Sequence, residues 1–220
     1  MTSVLVVAPH PDDETLGCGG ALHRHRSNGD AIHWLIVTDM TEAYTDERRS
    51  AREVEIAAVA ELYGFASVHR LGLPTSRLDE LPLSDIIAKA GRAFENVAPE
   101  VVYLPFRDDA HSDHRIAFDA TAACCKAFRS PGLREVYCYE VPSETGFGLA
   151  PGTLAFRPTH FVDIADQLED KLRAMRCYAD EMAEFPFPRS ETVIRALAAL
   201  RGSECGRAAA EAFIVIRQVR

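Results

Sequence analysis

Val4-Leu5-Val6-Val7-Ala8, cut off by Pro9-His10-Pro11, is the stretch from which the fold is read. A continuous apolar run rich in β-branched residues reads as a strand buried on both faces, the habit of a parallel sheet. Neither proline can donate to a ladder, so the strand stops there. Working outward, Ile32–Val37, Ser67–Leu71, Val101–Leu104 (ended by Pro105), Glu135–Val141 and Thr159–Val162 read as further strands. Ala212–Val219 is expected to add an edge strand. Between the strands, helices are expected at Ala21–Asn28, at Thr45–Tyr63 stopped by Gly64, and at Leu83–Val97 with Ser84 as its cap. Two more are expected at Ser112–Arg129 and at an amphipathic Ile164–Glu181. The alternation predicts an α/β fold, a Rossmann-like, mostly parallel sheet flanked by helices. Pro151-Gly152 and Pro186–Pro188 read as loops rather than boundaries, so residues 1–220 are expected to form a single domain.

The composition fits that reading. Apolar residues make up 47% and charged residues 26%, which excludes a disordered chain. A formal charge of −9 with no basic stripe excludes a nucleic-acid or anionic-membrane partner. No segment approaches the roughly 20 apolar residues of a membrane span. The start, Met1-Thr2-Ser3, lacks a basic, apolar leader. The six cysteines contain no C-x-x-C pair, so free thiols and a cytoplasmic location are expected. The subunit count is open, and a homo-oligomer is compatible with the sequence.

Two loops at strand ends carry the chemistry. In open parallel sheets, ligands bind at the carboxyl ends of strands. The first loop is Pro9-His10-Pro11-Asp12-Asp13-Glu14 and the second is Asp108-Asp109-Ala110-His111-Ser112-Asp113-His114. Catalytic zinc takes three ligands from His and carboxylate, acidifies a water, and leaves a nearby carboxylate to accept its proton. Two adjacent aspartates in a tight turn cannot both point the same way, so one can ligate while the other faces the water. His111 and His114, three apart, share a face if a helix begins there, so one can ligate while the other faces a substrate carbonyl. Taken singly, either loop is ordinary turn and cap chemistry. Together, each directly after a buried strand, they point to a metal-dependent hydrolase. Leu16-Gly17-Cys18-Gly19-Gly20 fails the dinucleotide pattern because Leu22 stands where the third glycine belongs. Its glycines are expected to let the first helix pack closely, with Cys18 a small packed residue.

These motifs resemble those of the PIG-L/LmbE-like de-N-acetylases, which include glucosaminide deacetylases of GPI-anchor, mycothiol and bacillithiol synthesis. Their A-H-P-D-D-E and L-G-x-G-G motifs match Pro9–Glu14 and Leu16–Gly20, and H-P-D-H matches His111-Ser112-Asp113-His114. Arg52-Glu53-Val54-Glu55, Tyr63-Gly64, Lys171 and Glu211-Ala212-Phe213 extend the resemblance over nearly the whole chain. The resemblance implies His10, Asp13 and His114 as ligands of Zn²⁺, with Fe²⁺ or another divalent metal compatible. It implies Asp12 as general base, His111 as oxyanion stabiliser or acid oriented by Asp113, and Arg52 as a substrate-binding residue. The implied reaction removes the N-acetyl group of a small N-acetylglucosamine-type sugar or conjugate. A metal amidase acting on a non-sugar N-acyl compound and a silent sugar-binding protein are the competing readings. Thr38-Asp39-Met40 departs from the usual T-x-G, and Thr75 stands where many members carry Asp, near the expected sugar pocket.

Other residues are expected to be structural. His23 and His25 fall on a face expected to be solvated. His33 and His69 are expected to be packed, and His160 is open. Ser143-Glu144 leaves a strand and could line the pocket.

Overall fold

A computed structural model describes residues 1–149 and 154–219. Pro151-Gly152 lies outside the described residues. Strands β1 (Ser3–Ala8), β2 (Ala31–Asp39), β3 (Ser67–Pro74), β4 (Val101–Pro105), β5 (Glu135–Tyr139), β6 (His160–Asp163) and β7 (Ala210–Gln218) form one sheet. Its order is β3-β2-β1-β4-β5-β7-β6. The first five strands of that order are parallel, and β7 runs antiparallel to both β5 and β6. This is the expected α/β sheet.

The pleat of β1 explains its sequence. Val4, Val6 and Ala8 face a core shared with helix α1 (Asp13–Ser27), α2 (Asp46–Tyr63) and α5 (Leu168–Met175). Leu5 and Val7 face the opposite core, shared with α3 (Leu83–Val97) and α4 (Ser112–Cys124). With successive side chains on opposite faces, a strand covered on both sides must be apolar at every position.

The elements depart from expectation in instructive places. The Ala212–Val219 stretch is not an edge: β7 lies between β5 and β6, and short β6 is the edge. Its first residues are fully buried, Phe213 included, which an edge would not require. Ser84 does not cap α3; Pro82 holds that position and Ser84 Oγ bonds Asp85 Oδ1 instead, 3.3 Å. Helix α4 stops at Cys124 and α5 at Met175, each short of its expected end. A sixth helix, α6 (Glu191–Cys205), was not anticipated, although Ser190 caps it through Val193 N–H (3.3 Å) and Gly206 ends it at φ +72°. His23 and His25 are half-buried rather than solvated. The His23 ring lies 4.4 Å from that of Tyr63, and His25 bonds Asp30 Oδ2 (2.8 Å) and Tyr103 Oη (2.9 Å).

The glycine run shapes α1. A Cβ on Gly17 would fall 2.1 Å from Tyr139 Cδ2, and one on Gly20 would fall 2.6 Å from Ile164 Cγ2. Within the helix, Cys18 leaves helical geometry at φ −144°, ψ 23°. Such a kink breaks the i→i−4 ladder and frees backbone groups that must find other partners. Glu211 accepts the N–H of Gly20 (2.9 Å) and of Ala21 (2.7 Å), while Lys171 Nζ donates to the Leu16 carbonyl (2.9 Å) and to Glu211 (2.7 Å). This buried pair ties β7 and α5 to the kink and so braces the loop that precedes α1. Cys18 itself is buried, and burial pushes its thiol well above the usual range. No helix among the described residues is long and apolar enough to cross a membrane.

Candidate metal centre

Because β1 and β4 pair in parallel, the loops leaving Ala8 and Pro105 emerge on the same sheet edge. They bring His10, Asp13 and His114 together, with one ligand atom from each within 4.8 Å of the others. Asp13 Oδ2 is the hub, 3.4 Å from His10 Nδ1 and 3.3 Å from His114 Nε2. It also accepts the His10 backbone N–H at 2.8 Å, which closes the turn.

His114 is held for one orientation. Asp109 Oδ2 lies 2.8 Å from Nδ1 and so fixes that nitrogen as the donor. The other nitrogen, Nε2, is buried, makes no hydrogen bond, and aims at Asp13. A buried polar atom without a partner calls for an explanation. Two imidazoles and a carboxylate converging on that point are the donor set of a catalytic zinc or iron site. The residues present therefore fit a divalent ion.

The charges agree with this geometry. Burial works to lower His10, but bonds to Asp113 and Asp13 overrule it and lift it to about 9. Burial likewise opposes protonation of His114, and Asp13 with Asp109 raises it to about 10. Asp13 is held well below the usual carboxylate range: burial would raise it, and the two histidines outweigh burial.

Asp12 points elsewhere. Its backbone sits at φ +132°, a conformation side-chain-bearing residues rarely adopt, and Thr15 and Leu16 N–H groups pin its carbonyl at 3.0 and 2.8 Å. Its Oδ2 meets Arg189 Nη1 at 2.8 Å. Burial and Asp13 push the Asp12 carboxyl well above its usual range, against the pull of Arg189. The pair of adjacent aspartates is thus split, one to the cluster and one to the cleft.

The geometry bears on three expected roles. Asp113 does not hold His111 through its carboxylate: Oδ2 accepts from His10 Nε2 (3.0 Å) and Ser76 N–H (2.6 Å), and lies 3.9 Å from His111 Nδ1. The Asp113 carboxylate, fully buried, thus holds the His10 ring. Burial, with His10 and His114 beside it, pushes His111 down to about 4. Its Nδ1 accepts the Asp113 backbone N–H at 3.1 Å, which leaves the proton on Nε2. Arg52 lines the cleft, but its guanidinium is buried and committed to Glu181, to the Pro11 carbonyl (2.7 Å) and to Glu55 (3.2 Å).

Sequence reading missed Arg189 and Glu181. Arg189 stands just before the unanticipated α6 and bonds Asp12, Glu181 (2.9 Å) and Ser143 Oγ (3.0 Å). The Ser190 cap before Glu191 is a signal from which this stretch could have been read. Glu144 lines the cleft, while Ser143 sits at φ +83° beneath Arg189. His160 stacks on Tyr137, ring centres 4.7 Å apart, far from this chemistry. The cleft above the cluster has a volume of about 510 Å³ and extends past Met40, Tyr44 and Thr75.

Comparison with known proteins adds an independent line. The PIG-L family model, described as GlcNAc-PI de-N-acetylase, matches residues 5–125. A diacetylchitobiose deacetylase of Thermococcus kodakarensis is 27% identical over 94% of this chain and 80% of its own length. A 4-oxalmesaconate hydratase of Pseudomonas putida is 26% identical over 81% of this chain and 74% of its own. The crystal structure of a conserved protein from Thermus thermophilus superposes with a TM-score of 0.81 at 27% identity, covering 100% of this chain and 97% of that one.

Proposed function

The chain belongs to the PIG-L family, and from that premise we propose that it is a metal-dependent hydrolase removing the N-acetyl group from an N-acetylglucosamine-type sugar or sugar conjugate. The observation that carries the proposal is the convergence of His10, Asp13 and the partnerless, buried His114 Nε2 beside a second carboxylate, Asp12, in one cleft. His10, Asp13 and His114 would hold the ion, with Zn²⁺ favoured by the donor set and Fe²⁺ compatible. Such an ion supplies Lewis-acid polarisation of the amide carbonyl and a water acidified to near neutrality.

The chain's own residues do the rest. Asp12, raised by burial, takes the proton of the attacking water and passes it to the leaving nitrogen. Arg189 keeps that carboxylate turned toward the cleft. Neutral His111, with its proton on Nε2, donates a hydrogen bond to the oxygen that gains charge as water adds to the carbonyl. Asp113 fixes the His10 ring, and Asp109 the His114 ring. The C–N bond then breaks to give acetate and a free amine.

The deacetylase name of the Thermococcus relative supports the sugar reading, and the hydratase name of the Pseudomonas relative supplies the rival. Acetate release over a panel of N-acetylated sugars, conjugates and N-acetyl amino acids, with and without chelator, tests both. Acetate from sugars, abolished by chelator, is the expected result. Far higher kcat/KM on N-acetyl amino acids would favour a non-sugar amidase. Metal uptake without acetate from any compound would favour the hydratase or a silent binder.

A further inference from the structure

Beyond the acetyl-bearing sugar, the outer cleft has its own chemistry. Resting on the sugar reading above, we infer that the Asp39–Arg70–Glu53 clamp is a specificity subsite that takes a neutral, hydroxyl-rich aglycone, such as a second sugar, and rejects an anionic one. These three residues line the same cleft as His10 and His114. Arg70 is bonded through each of its three nitrogens. It donates to Glu53 through Nη1 (2.5 Å) and Nη2 (2.8 Å), and to Asp39 through Nη2 (2.5 Å) and Nε (3.2 Å). The clamp is reachable, since Arg70 and Asp39 are about one-third exposed and Glu53 is 57% exposed.

The other arginines of the cleft are claimed as well. Arg52 and Arg189 are held by Glu181, and Arg49 by Asp46 at the rim. A phosphate or carboxylate entering at the clamp would meet a guanidinium already bonded to two carboxylates and would face those carboxylates. Sugar hydroxyls suit the same surface, because they can donate to the carboxylate oxygens of Asp39 and Glu53. Tyr44 and Met40 offer the apolar wall that the C–H face of a ring requires.

The test uses a matched pair, N-acetylglucosamine linked to glucose and N-acetylglucosamine linked to glucuronic acid, which differ by one carboxylate. Acetate release by the metal-loaded protein gives kcat/KM for each. Calorimetric binding of each to the Asp12→Asn protein gives affinities that need no turnover. The neutral compound should be preferred about tenfold, the effect of one partly screened like-charge contact. Freeing Arg70 with Asp39→Asn plus Glu53→Gln should cancel or invert that preference. Glu53→Gln alone, a change at an exposed helix position, should move it part of the way if the double variant does not fold. Equal kcat/KM and equal affinity in the native chain would overturn the subsite while leaving the deacetylase standing. So would an anionic preference lost in Arg49→Gln. Preferential binding of the neutral compound without hydrolysis of either would uphold the subsite and sink the deacetylase reading.

Discussion

Replacing Asp109 by alanine removes the carboxylate that holds His114 Nδ1 at 2.8 Å. His114 is 1% exposed, so no water replaces the lost acceptor. The ring can then turn, and Nε2 loses its aim at Asp13, now 3.3 Å away. Partners of this kind typically contribute about 10–100-fold in metal affinity, which corresponds to roughly 1.4–2.7 kcal/mol. Asp109→Asn keeps an oxygen facing Nδ1 and should recover most of that loss. Competition against a chromophoric zinc chelator measures both variants, with far-ultraviolet circular dichroism to establish that each is folded. A folded Asp109→Ala protein that binds Zn²⁺ as tightly as the native chain would refute the assignment of His114 Nε2 as a ligand.

Asp12→Asn should retain stoichiometric metal while losing about 10²–10⁴ in acetate-release rate; loss of metal there with retention in Asp13→Asn would reverse the two roles. In the metal-free protein His10 and His114 titrate at about 9 and about 10, above the usual 6.5, so both carry protons at pH 7. Metal uptake at pH 7 should therefore release protons, and affinity should climb with pH, as calorimetry in buffers of different ionisation enthalpy would read. By the same sign, the stability these raised groups lend the metal-free fold is complete below pH 6.5 and is lost as pH rises through 9 and 10, which thermal melts across that range would show. Glu211→Ala strands Lys171 and two helix N–H groups in the interior, and urea titration should show a loss of about 3–5 kcal/mol.

Most of the sheet was legible because burial on both faces writes itself into consecutive residues. Val4–Ala8 and Val101–Leu104 admit no charged side chain, and each is followed by proline, so strand and stop are both local signals. The meeting of the two loops followed from strand ends on one sheet edge, while the choice of His10, Asp13 and His114 within them was implied only by the family resemblance. What failed was less local. The stretch Ala212–Val219 has an apolar beginning whether it lies at an edge or one place inward, since its neighbour β6 is contributed from elsewhere in the chain. The start of α1 was hidden by its glycines, which weaken helix propensity yet are required by Tyr139 and Ile164 from other elements.

Arg52, Asp113 and Arg189 show where reading residues in order runs out. A guanidinium or carboxylate can bind a ligand, orient a neighbour or neutralise one, and only its partners decide which. Arg52 sits in a motif and was expected to reach substrate, but its Nη1 and Nη2 donate to the Pro11 carbonyl and to Glu181, and its Nε faces the Glu55 carboxylate. Asp113 is two residues from His111, and its carboxylate instead bonds His10, 103 positions away. Arg189 meets Asp12 across 177 positions, from a segment with no motif of its own. Motif proximity identifies the loops whose donors gather, because several donors are packed into two short stretches. It does not identify the groups that set the charge and orientation of those donors, since each arrives singly from a distant element. The specificity of this cleft belongs to that second class, in the clamp that joins β2, β3 and α2 through Asp39, Arg70 and Glu53.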